Sequence, residues 1–367
     1  LFVKMTQDVR QENQKPSPQR PFMARVLVTG FEPFGDNSRN ISMEVLSQLP
    51  SFMDFIDPWA GLRATEIEPV HAMVETKILS VDELGANTVS NLLTSGEVWD
   101  VIVHLGLCES CVVPKIETRA QNRISMRIPD NSGRKISEGS LSQDGDLHVA
   151  VPVQTWVKQG LDAGWELSVD AGTFVCNETF YSTLHTLEEQ RIADTPCVFV
   201  HLPDFERCTL VQASSLVLEV IERMLFRPVI SVVGGLVIRD DTYLIARRAQ
   251  HEKHPGKWEF PGGKVEQGES LQQAIVREFN EELSWNVRSG PSIGVWHHSL
   301  EKFDIALNIL PVEFTGALPD EQDKSGWTAH DAVVWRTIDD DSALDWLGSD
   351  EQIVHWMRET GYLTKPK

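Results

Sequence analysis

Asp170-Ala-Gly-Thr-Phe-Val-Cys-Asn-Glu-Thr-Phe180 decides how the first half of this chain is read. Thr173, Phe174 and Val175 are β-formers, and in the following run, Asn177 to Gln190, Phe180, Tyr181, Leu184 and Leu187 recur at helical spacing. The stretch predicts a strand turning into a helix, with Cys176 at the junction. A helix start offers unpaired N–H groups and the positive end of a dipole, which favour a thiolate and can hold an oxyanion. A free cysteine is more often a small buried hydrophobe, so position alone assigns no chemistry. A base has to come from elsewhere in the chain.

Working outward, Ala24 to Gly30 reads as a strand running into the turn Gly30-Phe-Glu-Pro-Phe-Gly35, which sets Phe31 and Phe34 at a strand end. Helical segments are expected near Ser42 to Gln48 and Val81 to Leu93, with a Pro/Trp-containing loop between them. Glu97 to Gly106 is a buried strand entering a glycine turn, and Thr195 to Pro203 is a short apolar strand that delivers His201 at its end. Thr209 to Phe226 reads as a closing amphipathic helix, stopped by Pro228. Strands alternating with helices predict an α/β fold, doubly wound on a mostly parallel sheet, with functional groups at the C-terminal strand ends. One helix and one strand separate Cys176 from His201, so a parallel crossover is expected to bring both to one sheet edge. A thiol beside an imidazole is the minimal activated nucleophile.

The 367 residues imply two or three domains, and a 41% hydrophobic fraction is ample for packed cores. With 33 Lys plus Arg against 54 Asp plus Glu, the net charge of -21 opposes binding to nucleic acid or to anionic membrane surfaces. No apolar run approaches the roughly 18 residues of a membrane-spanning helix, and the start of the chain lacks the layout of a secretory signal. A cytosolic location is therefore expected. Residues 1–22 are polar and Pro/Gln-rich and are expected to lack order, with Met5 or Met23 read as the start. Five cysteines do not suggest a disulfide framework. Cys108-Glu-Ser-Cys111 lacks both the second ligand pair of a structural zinc site and a thioredoxin-like setting.

Four segments carry a resemblance. Val-Thr-Gly-Phe-Glu-Pro-Phe-Gly at 28–35, Arg-Ile-Pro-Asp-Asn at 127–131, Ala-Gly-Thr-Phe-Val-Cys-Asn at 171–177 and Val-His-Leu-Pro at 200–203 resemble pyroglutamyl peptidase I, a thiol peptidase family, over a domain of residues 23–226. The resemblance implies removal of an N-terminal 5-oxoproline residue from peptides, with no cofactor. Cys176 would be the nucleophile, His201 the general base and then acid, and Glu117, placed by counting back from Asn131, the group orienting the imidazole. Phe31, Phe34, Ile128, Phe174 and Val175 would make an apolar slot for the neutral lactam ring. Assembly into a homo-oligomer through this domain is left open. The Gly106-Leu-Cys-Glu-Ser-Cys111 loop departs from the family's glycine-rich turn.

After the linker 227–228, a second domain is expected over residues 229–367, opening with a hairpin of Val229 to Ile238 and Thr242 to Arg248. Its chemistry is concentrated in Trp258-Glu-Phe-Pro-Gly-Gly-Lys-Val-Glu-Gln-Gly-Glu269 and the helix that follows. Ser270 and Gln273 form a capping-box start, and Glu278, Glu281 and Glu282 crowd one helical face. Crowded carboxylates need a cation, and Mg²⁺ prefers hard oxygens. Gly263, five residues, Glu269, seven residues, then Arg277-Glu-Phe-Asn-Glu-Glu282 resembles the Nudix box, with surroundings like its MutT-type branch.

This second resemblance implies an α/β/α sandwich with a mixed sheet that hydrolyses a nucleoside triphosphate to monophosphate and pyrophosphate. Mg²⁺ or Mn²⁺ would be held by Glu278, Glu281, Glu282 and the Gly262 carbonyl, with Glu269 and Arg277 in support. Arg248 would pair with phosphate, Phe260 would stack on the base, and Asp350 would read a donor edge of it. Ser284 stands where the box has glycine, and Ala329 where a further carboxylate is expected, with His330 or Asp331 as replacements. Two readings of the whole follow. In one the chain is a bifunctional hydrolase; in the other the second domain senses a nucleotide and regulates an active peptidase.

Overall fold

Alternating burial along the strands shapes the first unit of this computed structural model, which describes residues 23–157, 164–192, 195–316, 319–340 and 343–363. The tail expected to lack order, residues 1–22, lies outside them. The chain order is β1 (Ala24–Phe31), α1 (Ile41–Leu46), β2 (Phe52–Phe55), β3 (Val70–Leu79), α2 (Glu83–Ala86), α3 (Thr88–Thr94), β4 (Val101–Leu107), β5 (Lys115–Glu117), β6 (Arg119–Ala120), β7 (Leu147–His148), α4 (Gln154–Val157), β8 (Glu166–Ser168), α5 (Val175–Glu189), β9 (Cys197–Leu202) and α6 (Leu210–Leu225). Seven strands form one sheet in the order β2-β3-β1-β4-β9-β5-β8, and its centre, β3-β1-β4-β9, is parallel. Val26, Val28, Val103 and Val200 face α1 and α6, while Leu27, Ile102 and Phe199 face α3 and α5. Period-2 side chains thus bury both faces of the sheet, the arrangement expected of parallel strands covered by helices.

The structure corrects four expectations. The loop anticipated between the first two helical segments contains β2 and β3, and β3 is the parallel neighbour of β1. The segment expected as one helix over residues 81–93 is divided into α2 and α3 at Asn87. Thr173 and Phe174 do not continue a strand: Ser125 N–H donates to the Thr173 carbonyl and Thr173 Oγ1 donates to the Ser125 carbonyl, each at 2.8 Å, and Val175 already opens α5. Nor does a parallel crossover join Cys176 to His201, because β8 is parallel to β5 and β5 is antiparallel to β9. Instead α5 leads back into β9, so the helix start lies at that strand's C-terminal end.

The second unit runs β10 (Val229–Arg239), β11 (Thr242–Arg248), β12 (Trp258–Glu259), β13 (Gly262–Lys264), α7 (Leu271–Leu283), β14 (Val287–Ser289), β15 (Gly294–Ser299), β16 (Asp304–Phe314), β17 (His330–Thr337) and α8 (Asp350–Thr360). Its sheet is mixed: β10 and β16 are parallel, and β11 pairs antiparallel with β17. Val233, Leu244 and Leu310 pack towards α7, whereas Leu236, Ile245 and Ile309 pack towards α8, giving an α/β/α sandwich.

The two units share apolar and ionic contacts. Val229 and Ala306 of the second unit belong to the same buried cluster as the α6 face of the first. Arg63, in the loop before β3, pairs with Asp57 of its own unit, with Asp304 and with the Arg227 carbonyl. His297 Nε2 donates to the Leu62 carbonyl at 2.9 Å. Residues 227–228, expected as a linker, are therefore held in place: Arg227 Nε also donates to Asp304 Oδ1 at 2.9 Å. Among the described residues, no helix is long and apolar enough to cross a membrane.

Candidate active sites

Cys176 is the second residue of α5, immediately after Phe174 at the cap and Val175. Backbone N–H groups of a first helical turn have no intrahelical partner, so the thiol sits among free donors. On β9, His201 projects from the strand end into the same place. Its Nδ1 lies 2.8 Å from Glu117 Oε1, and the Cys176 side chain interacts with the same ring. Burial lowers the affinity of the imidazole for a proton, but the hydrogen bonds and charges of Cys176 and Glu117 outweigh it and raise the His201 pKa to about 9. The second Glu117 oxygen is buried without a hydrogen-bond partner.

Gly106 on β4, the cross-strand neighbour of His201, makes room for this arrangement. A Cβ there would stand 3.0 Å from Cys176 Sγ and 2.8 Å from the Phe199 ring. A cleft of about 700 Å³ opens beside the three groups, and Phe34, Ile128 and Phe174 supply an apolar wall, with the Phe34 and Phe174 rings 5.9 Å apart. Two residues expected at that wall are elsewhere. Phe31 is buried against Phe199, and Val175 points into the core, because each lies on the strand or helix side that faces the sheet interior. The loop after β4 also differs from expectation: Cys108 and Cys111 form a disulfide, across a turn that brings their Cα atoms to 5.4 Å.

The 127–131 and 171–177 segments are tied together physically. Arg134 Nη1 and Nη2 grip Glu178 of α5 at 2.9 and 2.6 Å, and Arg134 Nε donates to Asp130 at 2.8 Å. Asn177 accepts the Gln121 N–H and donates to the carbonyls of Gln121 and Arg123. The excursion between β6 and β7 is thereby clamped over the start of α5. Arg134 and Glu178 were not singled out in the sequence, where nothing pairs two residues so far apart.

In the second unit, α7 begins with the capping box read from Ser270 and Gln273. Arg277 grips Glu269 through two nitrogens, at 3.1 and 2.7 Å, and reaches Glu278 at 2.9 Å and Glu281 at 3.1 Å. Gly263 permits the approach of Glu278, since a Cβ there would stand 2.4 Å from a Glu278 oxygen. Ser284 ends the helix in the left-handed conformation, φ 57°, that glycine adopts without strain.

Glu282, one turn after Glu278, lies towards β17. Thr328 N–H donates to the Glu282 carbonyl and Thr328 Oγ1 to the Glu281 carbonyl, satisfying the end of α7 and bringing His330 of β17 against it. His330 is enclosed, with Nε2 2.9 Å from Glu259 Oε1 and Nδ1 3.7 Å from Glu282 Oε2. Ala329 contributes its carbonyl to the Ala249 N–H, and Asp331 turns to Arg247 at 2.7 Å. Burial, followed by the Glu259 and Glu278 charges, pushes the Glu282 pKa up to about 9. Glu259 is the residue that the sequence reading missed here: it lies inside the quoted Trp258-Glu-Phe run, but its partners, Arg248 and His330, become neighbours only on folding.

The expected metal residues lie near one another and engage protein groups in this arrangement. Glu278 and Glu281 take Arg277 as their nearest cation, Glu282 faces His330, and Gly262 lies on β13 opposite Gly234. Among the described residues, no three His, Cys, Asp or Glu side chains converge to cage an ion unaided. The nucleotide-reading expectations also change. Arg248 spends its donors on Glu259, Glu252 and the Lys253 carbonyl. Phe260 is buried between Tyr243 and Trp346, leaving no open ring face for a base. Asp350, buried at the start of α8, accepts the Phe260 N–H at 2.7 Å, and burial followed by the Glu259 charge holds its carboxyl well above the usual range.

A family model described as pyroglutamyl peptidase matches residues 24–225, and one described as NUDIX domain matches residues 229–357. The pyrrolidone-carboxylate peptidase of Lactobacillus acidophilus is 27% identical over 186 residues, covering 49% of this chain and 83% of that protein. The protein of the same description from Thermococcus litoralis is 29% identical over 187 residues, covering 49% of this chain and 77% of that one. Among solved structures, pyrrolidone carboxyl peptidase from Thermus thermophilus aligns at 28% identity with a TM-score of 0.41, covering 55% of this chain and 98% of that one.

Proposed function

Because the chain belongs to the pyroglutamyl peptidase family through residues 24–225 and carries a NUDIX domain over residues 229–357, we propose that it is a bifunctional hydrolase with one site in each unit. The first removes N-terminal pyroglutamate from peptides, and the second splits a nucleoside triphosphate into monophosphate and pyrophosphate. The observation that carries the first half is the Cys176, His201 and Glu117 arrangement beside an apolar, aromatic wall.

In this reading the lactam ring lies against Phe34, Phe174 and Ile128, with its exocyclic carbonyl carbon at Cys176 Sγ. The thiolate adds to that carbon, and the N-terminal N–H groups of α5 hold the oxyanion. His201 passes its proton to the departing amine, leaving a thioester on Cys176, then takes a proton from the water that hydrolyses it. Glu117 keeps the ring oriented and stabilises the imidazolium.

In the second unit, Glu282 and Glu278 fit a divalent cation: a Glu282 oxygen is buried and unpartnered, and Gly263 leaves space for the Glu278 carboxylate. Together with Glu281 and the Gly262 carbonyl they would hold it. Such an ion, Mg²⁺ or Mn²⁺, neutralises phosphate charge and lowers the pKa of bound water. Glu269 and Arg277 pin the loop ahead of α7 to the helix, which fixes where a phosphate chain would lie. The apolar core and ion pairs shared by the units favour a second reading, in which nucleotide binding also alters the peptidase rate.

The test combines a pyroglutamyl-amide reporter with a nucleotide panel monitored for pyrophosphate in the presence of Mg²⁺ or Mn²⁺. Reporter turnover and pyrophosphate from at least one nucleotide support the bifunctional reading. A reporter rate that shifts with bound but unhydrolysed nucleotide supports the regulatory one.

A further inference from the structure

Two buried polar atoms face one another in the second unit. His330 Nδ1 and Glu282 Oε2 are 3.7 Å apart, both shielded from solvent, and neither has a hydrogen-bond partner. Buried polar atoms are nearly always satisfied, so a pair left unsatisfied and aimed at one point calls for an occupant. A shared proton does not meet the need, since 3.7 Å exceeds hydrogen-bond length. Two donors bound to one ion at about 2.1 Å stand roughly 3 to 3.5 Å apart, within a small side-chain adjustment of what is observed.

The tautomer is set for this role. Glu259 Oε1 lies 2.9 Å from His330 Nε2 and is itself held by Arg248 Nη1 at 2.8 Å. A carboxylate acceptor beside Nε2 keeps the ring proton on that nitrogen, which leaves the Nδ1 lone pair facing Glu282. Metal-binding histidines are oriented in this way, their second nitrogen donating to a carboxylate. Asp331, the other candidate at this turn, is committed to Arg247 and does not face Glu282.

We propose that His330 Nδ1 is a ligand of the divalent cation in this unit, forming with Glu282 a mixed nitrogen and oxygen pair that favours a first-row transition ion over Mg²⁺. The inference rests on the reading of this unit as a metal-dependent nucleotide hydrolase. Imidazole is a poor partner for Mg²⁺ and a good one for transition ions. Phosphate oxygens and water complete the shell beside the protein ligands.

The full-length protein, stripped with a chelator and loaded with Mn²⁺, is examined by pulsed electron paramagnetic resonance for coupling to a directly bound nitrogen. Mn²⁺ affinity is measured alongside, in competition with Mg²⁺. The wild-type protein is expected to show the coupling and to bind Mn²⁺ at least tenfold more tightly than Mg²⁺. In His330→Gln the coupling disappears and that preference collapses, while reporter cleavage by the first unit certifies folding of the chain. Bound Mn²⁺ without nitrogen coupling in the wild type, or the same coupling in His330→Gln, overturns the assignment, yet leaves the hydrolase reading standing if pyrophosphate is still released. Failure to bind Mn²⁺ together with failure to release pyrophosphate overturns both.

Discussion

His201 Nδ1 and Glu117 Oε1 are 2.8 Å apart on adjacent antiparallel strands, and β9 and β5 hold them there through backbone pairing. The carboxylate is buried in the sheet and reaches the imidazole without crossing solvent. Replacing it with an amide of the same shape, Glu117→Gln, should lower kcat for a pyroglutamyl-amide reporter by about 10²- to 10⁴-fold. KM should change little, because Glu117 acts through the ring and not on the substrate. Steady-state kinetics on the reporter checks both.

The raised His201 pKa gives a pH dependence with a defined sign. A histidine whose folded pKa, about 9, exceeds its unfolded value near 6.5 contributes stability that is complete below 6.5 and fades as pH rises through 9. Reporter kcat/KM should fall on the alkaline side near the same pH, as the imidazolium that protonates the leaving amine is lost. In Glu117→Gln that limb should move to lower pH, since one of the groups supporting the charge is gone. Thermal unfolding and kcat/KM from pH 6 to 10 follow both trends.

Gly106 offers a test of geometry alone. In Gly106→Ala the added methyl meets the Phe199 ring at 2.8 Å and Cys176 Sγ at 3.0 Å, so the ring must shift and the thiol give slightly. A displacement of a fraction of an ångström is expected to cost roughly tenfold in kcat/KM for the peptidase, since about 1 Å can cost 10²-fold. Pyrophosphate release by the second unit should be unaffected.

Ser284 carries strain at the end of α7. Its left-handed conformation costs an L-residue about 1 kcal/mol, offset in part by the exposed hydrogen bond from its Oγ to the Gly326 carbonyl. Ser284→Gly should therefore stabilise the second unit by about 0.5 kcal/mol, a rise of roughly one to two degrees in Tm. Differential scanning calorimetry provides the measurement.

Much of this was legible in the residues, and what was not has physical causes. The strands β1, β4, β9 and β10 announced themselves as apolar runs, and the capping box of α7 as a local pattern. β3 escaped notice because Glu75, Lys77 and the exposed Ile78 break its alternation. The meeting of Cys176 and His201 at one sheet edge was legible, yet the path that joins them was not, since the antiparallel placing of β5 is a tertiary choice. Phe260 and Asp350 were expected as recognition groups and are buried together, Asp350 accepting the Phe260 N–H, which no local pattern reveals. Glu259 and Arg134 remained hidden for the complementary reason: their partners lie 71 and 44 residues away.

The central claim is that two independent hydrolytic sites share one chain, and it is tested most directly by assaying both reactions on Cys176→Ala and Glu282→Gln. Cys176→Ala should lose reporter cleavage while releasing pyrophosphate at the wild-type rate, and Glu282→Gln should show the reverse. Reporter cleavage that survives Cys176→Ala, or pyrophosphate release that survives Glu282→Gln, would contradict it.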